Sequence, residues 1–155
     1  MENNRHDIDI VYLWVDGNDP AWRKKRDALT GNTEEVSSAH CEGRYADNDE
    51  LKYSLRSIEQ YAPWIRNIII VTDNQTPRWL DTSNPKIRIF DHTEILPPES
   101  LPCFNSDLIE HYLYRIPGLA ERFLCANDDT LLNRRVEPSD FFTPQGFPIV
   151  RQTPK

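Results

Sequence analysis

Four short runs suited to β-strands divide the chain, and each is followed at once by acidic or amide residues. Ile8-Asp9-Ile10-Val11-Tyr12-Leu13-Trp14-Val15 leads into Asp16-Gly17, and Asn67-Ile68-Ile69-Ile70-Val71-Thr72 leads into Asp73. Lys86-Ile87-Arg88-Ile89-Phe90 leads into Asp91-His92, and Arg122-Phe123-Leu124-Cys125-Ala126 into Asn127-Asp128-Asp129. The first two runs are nearly continuous in β-branched and aromatic residues, which predicts strands buried on both faces. The third alternates polar and apolar residues, as a half-exposed strand does. Helical segments separate the runs, so the order strand–helix–strand predicts an α/β sandwich with a mostly parallel sheet. Ligands in such folds sit beyond the carboxyl ends of the strands. The four polar clusters are therefore expected on one rim.

The helices carry their own signals. Asp19 is placed as an N-cap with Pro20 at the first helical position, ahead of a short basic helix over 21–29. Asp47 with Glu50 three residues on resembles a capping box, and Leu51, Leu55, Ile58 and Ala62 recur at helical spacing behind it. Residues 30–46 are polar and aperiodic, which predicts a long surface loop. A further loop is expected over 92–104, with Pro97, Pro98 and Pro102. A third helix follows from Asn105 or Ser106, with Leu108, Ile109, Tyr112, Leu113 and Ile116 on its apolar side and Pro117-Gly118 ending it. A last short strand is expected near Ile149-Val150.

Length and charge narrow the function. A chain of 155 residues fits one domain, here taken as 1–155. Lysine and arginine total 18 against 25 aspartates and glutamates, so the net charge is 18 − 25 = −7. That argues against general nucleic-acid binding, which runs on phosphate neutralisation. Cys41, Cys103 and Cys125 form no C-x-x-C pair, so a reducing cytoplasm is the default compartment. The polar start and the short apolar runs predict neither a signal peptide nor an integral membrane segment.

Asp128 and Asp129, adjacent carboxylates after a buried strand, are the candidate ligands for magnesium or manganese. These ions often bind through one or two carboxylates plus substrate phosphates. The plain alternative is a turn that merely closes the strand. Asp16-Gly17 suits a nucleotide base, ribose or phosphate, or else only an Asp-Gly turn with φ > 0 at the glycine. Arg44, Asn48 and Glu50 lie where a helix begins and an anion is favoured. Asp47, Asp49 and Glu50 already supply that negative charge, so the local chemistry favours a capping cluster there. Glu110, His111 and Arg115 on the third helix face either the rim or solvent.

Taken in order, these segments resemble the Stealth family of sugar-phosphate transferases. Residues 8–20, ending in Trp14-Val15-Asp16-Gly17-Asn18-Asp19-Pro20, are similar to its first block. Residues 44–143 are similar to its second. That stretch opens with Arg44-Tyr45-Ala46-Asp47-Asn48-Asp49-Glu50, continues through Val71-Thr72-Asp73 and Phe104-Asn105-Ser106, and passes Ile109-Glu110 and Arg115-Ile116-Pro117-Gly118 to Asn127-Asp128-Asp129.

The resemblance implies a GT-A-like, Rossmann-like three-layer sandwich. It implies transfer of a hexose-1-phosphate from a nucleotide sugar, typically a UDP-sugar such as UDP-N-acetylglucosamine, to a glycan hydroxyl in capsular or cell-surface polysaccharide synthesis. Asp128, Asp129 and Arg115 are then the expected catalytic residues. Asp16, Gly17, Arg44, Asn48, Glu50, Asp73, Asn105, Ser106, Glu110 and Asn127 are the expected substrate-binding ones. Two other readings stand beside it: a GT-A glycosyltransferase releasing UDP, and a nucleotide-sugar-binding remnant without turnover. The chain departs from the pattern at Tyr114, where the family often has histidine, and at Asp107-Leu108, where it often has His-Ala. The family's later blocks supply a histidine and an arginine at the phosphate. With the sequence ending at Lys155, a further C-terminal region or a partner chain is expected to complete the site.

Overall fold

The computed structural model describes residues 7–30 and 47–151. Its centre is a four-stranded sheet of β1 (Ile8–Leu13), β2 (Ile68–Thr72), β3 (Ile87–Asp91) and β4 (Arg122–Asn127), in the order β3-β2-β1-β4. All three neighbouring pairs are parallel. The helices are α1 (Pro20–Thr30), α2 (Glu50–Tyr61), α3 (His92–Ile95) and α4 (Ser106–His111). The α/β class and the parallel sheet therefore hold, and the arrangement is compatible with a GT-A-like, Rossmann-like domain. Most of the loop expected over 30–46, including Arg44, lies outside the described residues. Thr30 itself is the last residue of α1.

Successive residues on a strand point to opposite faces, and both faces of β1 and β2 are covered. Ile8, Ile10, Tyr12, Ile68 and Ile70 pack with Leu51, Leu55 and Ile58 of α2. On the other face Val11, Ile69 and Val71 pack with Ile95 of α3, Ile109 of α4, and Leu113 and Ile116 beyond it. Helix, sheet and helix make three layers. Each fully buried aliphatic side chain of this kind contributes about 1.5–3 kcal/mol. The outer strands β3 and β4 are less buried, as edges are.

One charged residue sits inside the first strand. Asp9 is fully buried. It accepts hydrogen bonds from Arg66 Nε (2.9 Å) and Nη2 (2.6 Å), from the backbone N–H groups of Asn67 (3.1 Å) and Ala120 (2.8 Å), and from Asn67 Nδ2 (3.1 Å). Burial alone would raise its carboxyl, but the Arg66 and Ala120 bonds outweigh it and hold the group below its usual value. Asp9 thus ties the start of β1 to the entries of β2 and β4.

Several local expectations are corrected. β1 stops at Leu13, not Val15. Trp14 N–H still reaches Val71 O (3.0 Å), but Asp16 N–H turns to the Gln75 side chain (2.8 Å), which ends the ladder. The Asp47/Glu50 capping box does not form. Asp47 accepts from Asp49 N–H (3.0 Å), Glu50 accepts from Asn48 N–H (2.6 Å), and the N-cap is Asp49 in the left-handed region. The loop expected over 92–104 begins as a helix, because Asp91 and Glu94 form a capping box over α3. The third helix is shorter than expected: α4 ends at His111 and a 3-10 turn, Leu113–Arg115, follows. Near Ile149 there is only a bridge between Phe142 and Pro148, since Pro144 and Pro148 have no N–H to build a ladder.

Candidate functional site

The chain steps outward from β1 to β2 to β3, then returns to place β4 on the other side of β1. The order therefore reverses between β1 and β4, where open α/β sheets hold ligands. A cavity of about 330 Å³ lies at that point. Leu13, Trp14 and Val15 line it from the end of β1, and Asn127, Asp128 and Asp129 from the end of β4. Ser106, Ile109 and Glu110 of α4 form a third side, and Trp22, His92, Cys103 and Phe104 complete it. Trp22 meets Phe104 edge to face, with ring centroids 5.4 Å apart. A larger groove of about 600 Å³ lies between α2 and the segment before β3, and none of the candidate residues lines it.

The acidic side of the rim is crowded. Burial pushes the Asp128 carboxyl above its usual value, and the charges of Asp129 and Glu50 push it further, against the Asp129 N–H that bonds it at 3.1 Å. Burial likewise raises Asp47, with Asp16, Glu50 and Asp49 adding to it and the Asp49 N–H opposing. Glu50 itself is held low by the side-chain and backbone N–H groups of Asn48. Negative charge from β1, α2 and β4 therefore converges on one edge of the cavity. Among the described residues no three His, Cys, Asp or Glu side chains form a group able to hold a metal ion by themselves.

Two serines of α2 fix the segment that leaves Asp129. Ser54 Oγ donates to Thr130 O (2.5 Å) and is bonded to the Tyr12 hydroxyl (2.8 Å). Ser57 Oγ accepts from Leu132 N–H (3.0 Å). Burial pushes the Tyr12 phenol up to about 12, so it stays a neutral partner.

The candidate residues from the sequence are only partly brought together. Ser106, Glu110, Asn127, Asp128 and Asp129 meet in the cavity. Asp16, Asn48 and Glu50 stand beside it on the acidic edge, although Asn48 and Glu50 are bonded to each other (2.9 Å) and Asp16 accepts from Asn18 N–H (2.8 Å). Gly17 is buried, accepts from Arg23 Nε (2.6 Å) and lacks the positive φ that the plain Asp-Gly turn alternative calls for. Three residues are not brought in. Asp73 is buried against Lys25 (2.5 Å), the Asn105 side-chain oxygen caps α4, and Arg115 is exposed beside the Tyr112 ring. Arg44 is outside the described residues.

Sequence reasoning did not select Trp14, Trp22, His92, Cys103 or Phe104, which also line the cavity. The signal for the tryptophans was present, since they flank Asp16-Gly17 on both sides. His92 was visible only as part of a rim cluster.

The profile of Stealth protein conserved region 2 matches residues 44–150, and that of Stealth conserved region 1 matches residues 6–34. An exopolysaccharide phosphotransferase of Streptomyces coelicolor is 51% identical over 149 residues, covering 94% of this chain and 25% of the relative. An exopolysaccharide phosphotransferase of Lactiplantibacillus plantarum is 45% identical, covering 92% of this chain and 41% of its own length. A capsular polysaccharide phosphotransferase of Streptococcus pneumoniae is 42% identical, with coverages of 91% and 43%. The chain thus spans between 25% and 43% of the length of these curated relatives.

Proposed function

The chain belongs to the Stealth family, and from that premise we propose that it serves sugar-phosphate transfer in the synthesis of a capsular or other extracellular polysaccharide. The donor is a nucleotide sugar, read as UDP-N-acetylglucosamine or a close analogue, and the acceptor is a glycan hydroxyl. The observation that carries the reading is the cavity between β1 and β4, where Asn127, Asp128 and Asp129 share one space with Ser106, Glu110 and an aromatic wall. The described cysteines, Cys103 and Cys125, are free thiols, which suits the cytoplasm as the site of reaction. Among the described residues no helix is long and apolar enough to cross a membrane.

The acceptor oxygen attacks the phosphorus next to the hexose. A new P–O bond forms, the P–O bond to UMP breaks, and UMP leaves with the electron pair. Asp128 or Asp129 takes the proton of the attacking hydroxyl. The other of the two would hold a magnesium or manganese ion. They fit one because Asp128 is crowded by Asp129 and Glu50, negative charge that a cation offsets. With only two adjacent carboxylates at the tip of β4, the remaining ligands would be donor phosphate oxygens and water. When bound, such an ion neutralises the diphosphate and the charge that develops on the leaving phosphate. Asn127 and Ser106 offer neutral hydrogen bonds beside these carboxylates, and Glu110 faces the same space.

The test is the identity of the released nucleotide. The full-length protein is incubated with UDP-N-acetylglucosamine, magnesium and an acceptor glycan. UMP is the expected product. Release of UDP overturns phosphate transfer and indicates cleavage at the sugar carbon instead.

A further inference from the structure

α2 carries two hydroxyl side chains into the core. Ser54 is fully buried and Ser57 is 8% exposed, on the same helix as the buried Leu51, Leu55 and Ile58. Serine is a mediocre helix former, and a buried hydroxyl needs a partner. Both serines find one outside the helix, on the segment that leaves β4. Ser54 Oγ donates to Thr130 O (2.5 Å), and Ser57 Oγ accepts from Leu132 N–H (3.0 Å).

Two further bonds continue the row. Val136 N–H donates to Tyr61 O (3.0 Å), and Trp64 Nε1 donates to Val136 O (2.8 Å). On the helix side the bonds fall at Ser54, Ser57, Tyr61 and, just past the helix end, Trp64. That is the three-and-four spacing of a single helical face. The partners at Thr130, Leu132 and Val136 follow in the same direction, so α2 serves as a rail along which this segment is laid. Carried one turn back, the row reaches Glu50, whose charge acts on Asp128.

The rungs differ in what they hold. Thr130 N–H donates to Asn127 O (3.0 Å) and closes a four-residue turn with Asp128 and Asp129 as its two central residues. β4 fixes the entry of that turn and Ser54 its exit. Ser57 stands behind Ser54: its hydroxyl also donates to Ser54 O (2.7 Å), so both its donor and its acceptor roles are in use. The Leu132 rung lies one residue past the Thr130 exit, separated only by Leu131, while the Val136 rung lies well beyond it.

Resting on the reading of Asp128 and Asp129 as the pair that serves a divalent cation, we propose that Ser57 is a positioning residue for that pair. Through Leu132, and together with Ser54, it holds the exit of the Asn127–Thr130 turn and so sets how tightly the turn binds the ion. Ser57 does not line the cavity and acts only through the segment it holds. The Trp64 rung, at the far end of the row, fastens the segment to α2 without setting the turn.

The experiment titrates manganese into the full-length protein and follows the free ion by electron paramagnetic resonance, with urea midpoints measured alongside. Ser57→Ala is expected to lower the midpoint and to weaken manganese binding about 10-fold, the scale of one buried hydrogen bond lost. Ser57→Thr returns a hydroxyl able to bond the helix carbonyl one turn back, and is expected to bind within about twofold of the wild type. Trp64→Phe removes the far rung alone. It is expected to lower the midpoint and leave manganese affinity unchanged. Ser57→Cys, with a weaker acceptor of similar size, serves where the alanine variant does not fold, and is expected to weaken binding at least about threefold. Wild-type affinity in the folded alanine or cysteine variant overturns the proposal. An equal loss in Trp64→Phe overturns it too, because the effect is then one of general stability. A wild type that binds no manganese, with or without UDP-N-acetylglucosamine, removes the cation reading itself and the proposal with it.

Discussion

Leu13 and Asn127 stand opposite each other in the parallel ladder, as the last residues of β1 and β4. Because the two strands end level, the Trp14-Val15-Asp16 exit and the Asn127-Asp128-Asp129 exit open into the same space. No side-chain contact is needed to bring them together, since the sheet register does it. A one-residue slip of β4 would turn its side chains to the opposite face. Asn127 and Asp128 would then exchange faces of the sheet. The proposed chemistry therefore depends on how β1 pairs with β4 as much as on the carboxylates themselves.

Removing either carboxylate tests the acidic end directly. Asp128→Ala and Asp129→Ala in the full-length protein are each expected to lower UMP release by at least about 100-fold at saturating magnesium, the scale seen when one group stabilising a transition state is lost. Initial rates over a range of donor concentrations would measure it. Wild-type rates in both variants would remove these residues from the mechanism.

The same crowding has an opposite consequence for stability. Burial, Asp129 and Glu50 all disfavour the charged form of Asp128. Asp128→Asn removes that charge with little change of shape. It should stabilise the metal-free protein by about 1 kcal/mol while abolishing activity, a trade common where a site holds unfavourable charge. Thermal melting without divalent ions measures the gain. A melting temperature lower than wild type would show that Asp128 is instead a structural anchor.

Ser54 links three elements that the site needs. Its hydroxyl joins Tyr12 of β1 to Thr130 O, next to Asp129, from within α2. Ser54→Ala leaves the buried Tyr12 hydroxyl and the Thr130 carbonyl without this partner, at a cost of about 1–3 kcal/mol. The segment after Asp129 should loosen as well. The expected outcome is a lower urea midpoint together with weaker magnesium binding by titration. Unchanged metal binding in the folded variant would separate Ser54 from the site.

What could be read from the sequence follows from what each signal depends on. Strand identity depends on local composition, so the runs ending at Asp16, Asp73, Asp91 and Asn127 were visible, as was their shared rim. Strand order depends on long-range pairing, and nothing local placed β4 beside β1 and away from β3. The burial of His92 was hidden for the same reason: it comes from packing across elements that its neighbours in sequence do not reveal. Asp73 looked like a rim residue equal to Asp16, yet Lys25, 48 positions away, takes one of its oxygens. Arg115 follows α4 by only a few residues, but the 3-10 turn after His111 carries it to the exposed side of Tyr112. Periodicity extended over that stretch hid the break.

Asp9 gives the pH dependence with the clearest sign. Its folded value lies below the ordinary 3.8, because the Arg66 and Ala120 hydrogen bonds overcome the penalty of burial. The charged groups facing it are Arg66 and, through Arg66, Asp7, which bonds Nη1 at 3.2 Å. A carboxyl with a depressed folded value adds stability that is fully present above its unfolded value and disappears as pH falls through the folded one. Asp9→Asn removes the charge and turns an amide N–H toward donors that need an acceptor. It should cost about 3 kcal/mol near neutral pH, as breaking a buried pair does. Urea midpoints of the wild type and the variant should differ by a constant amount from about pH 7 down to about pH 5, because Asp9 stays ionised in both states across that range. Below 3.8 the wild type should lose stability faster than the variant, and the two curves should converge. A gap that closes well above that value would mean that another carboxylate governs acid unfolding. A gap that persists undiminished at the acid end would mean that Asp9 acts through shape and hydrogen-bond count, with its charge contributing little.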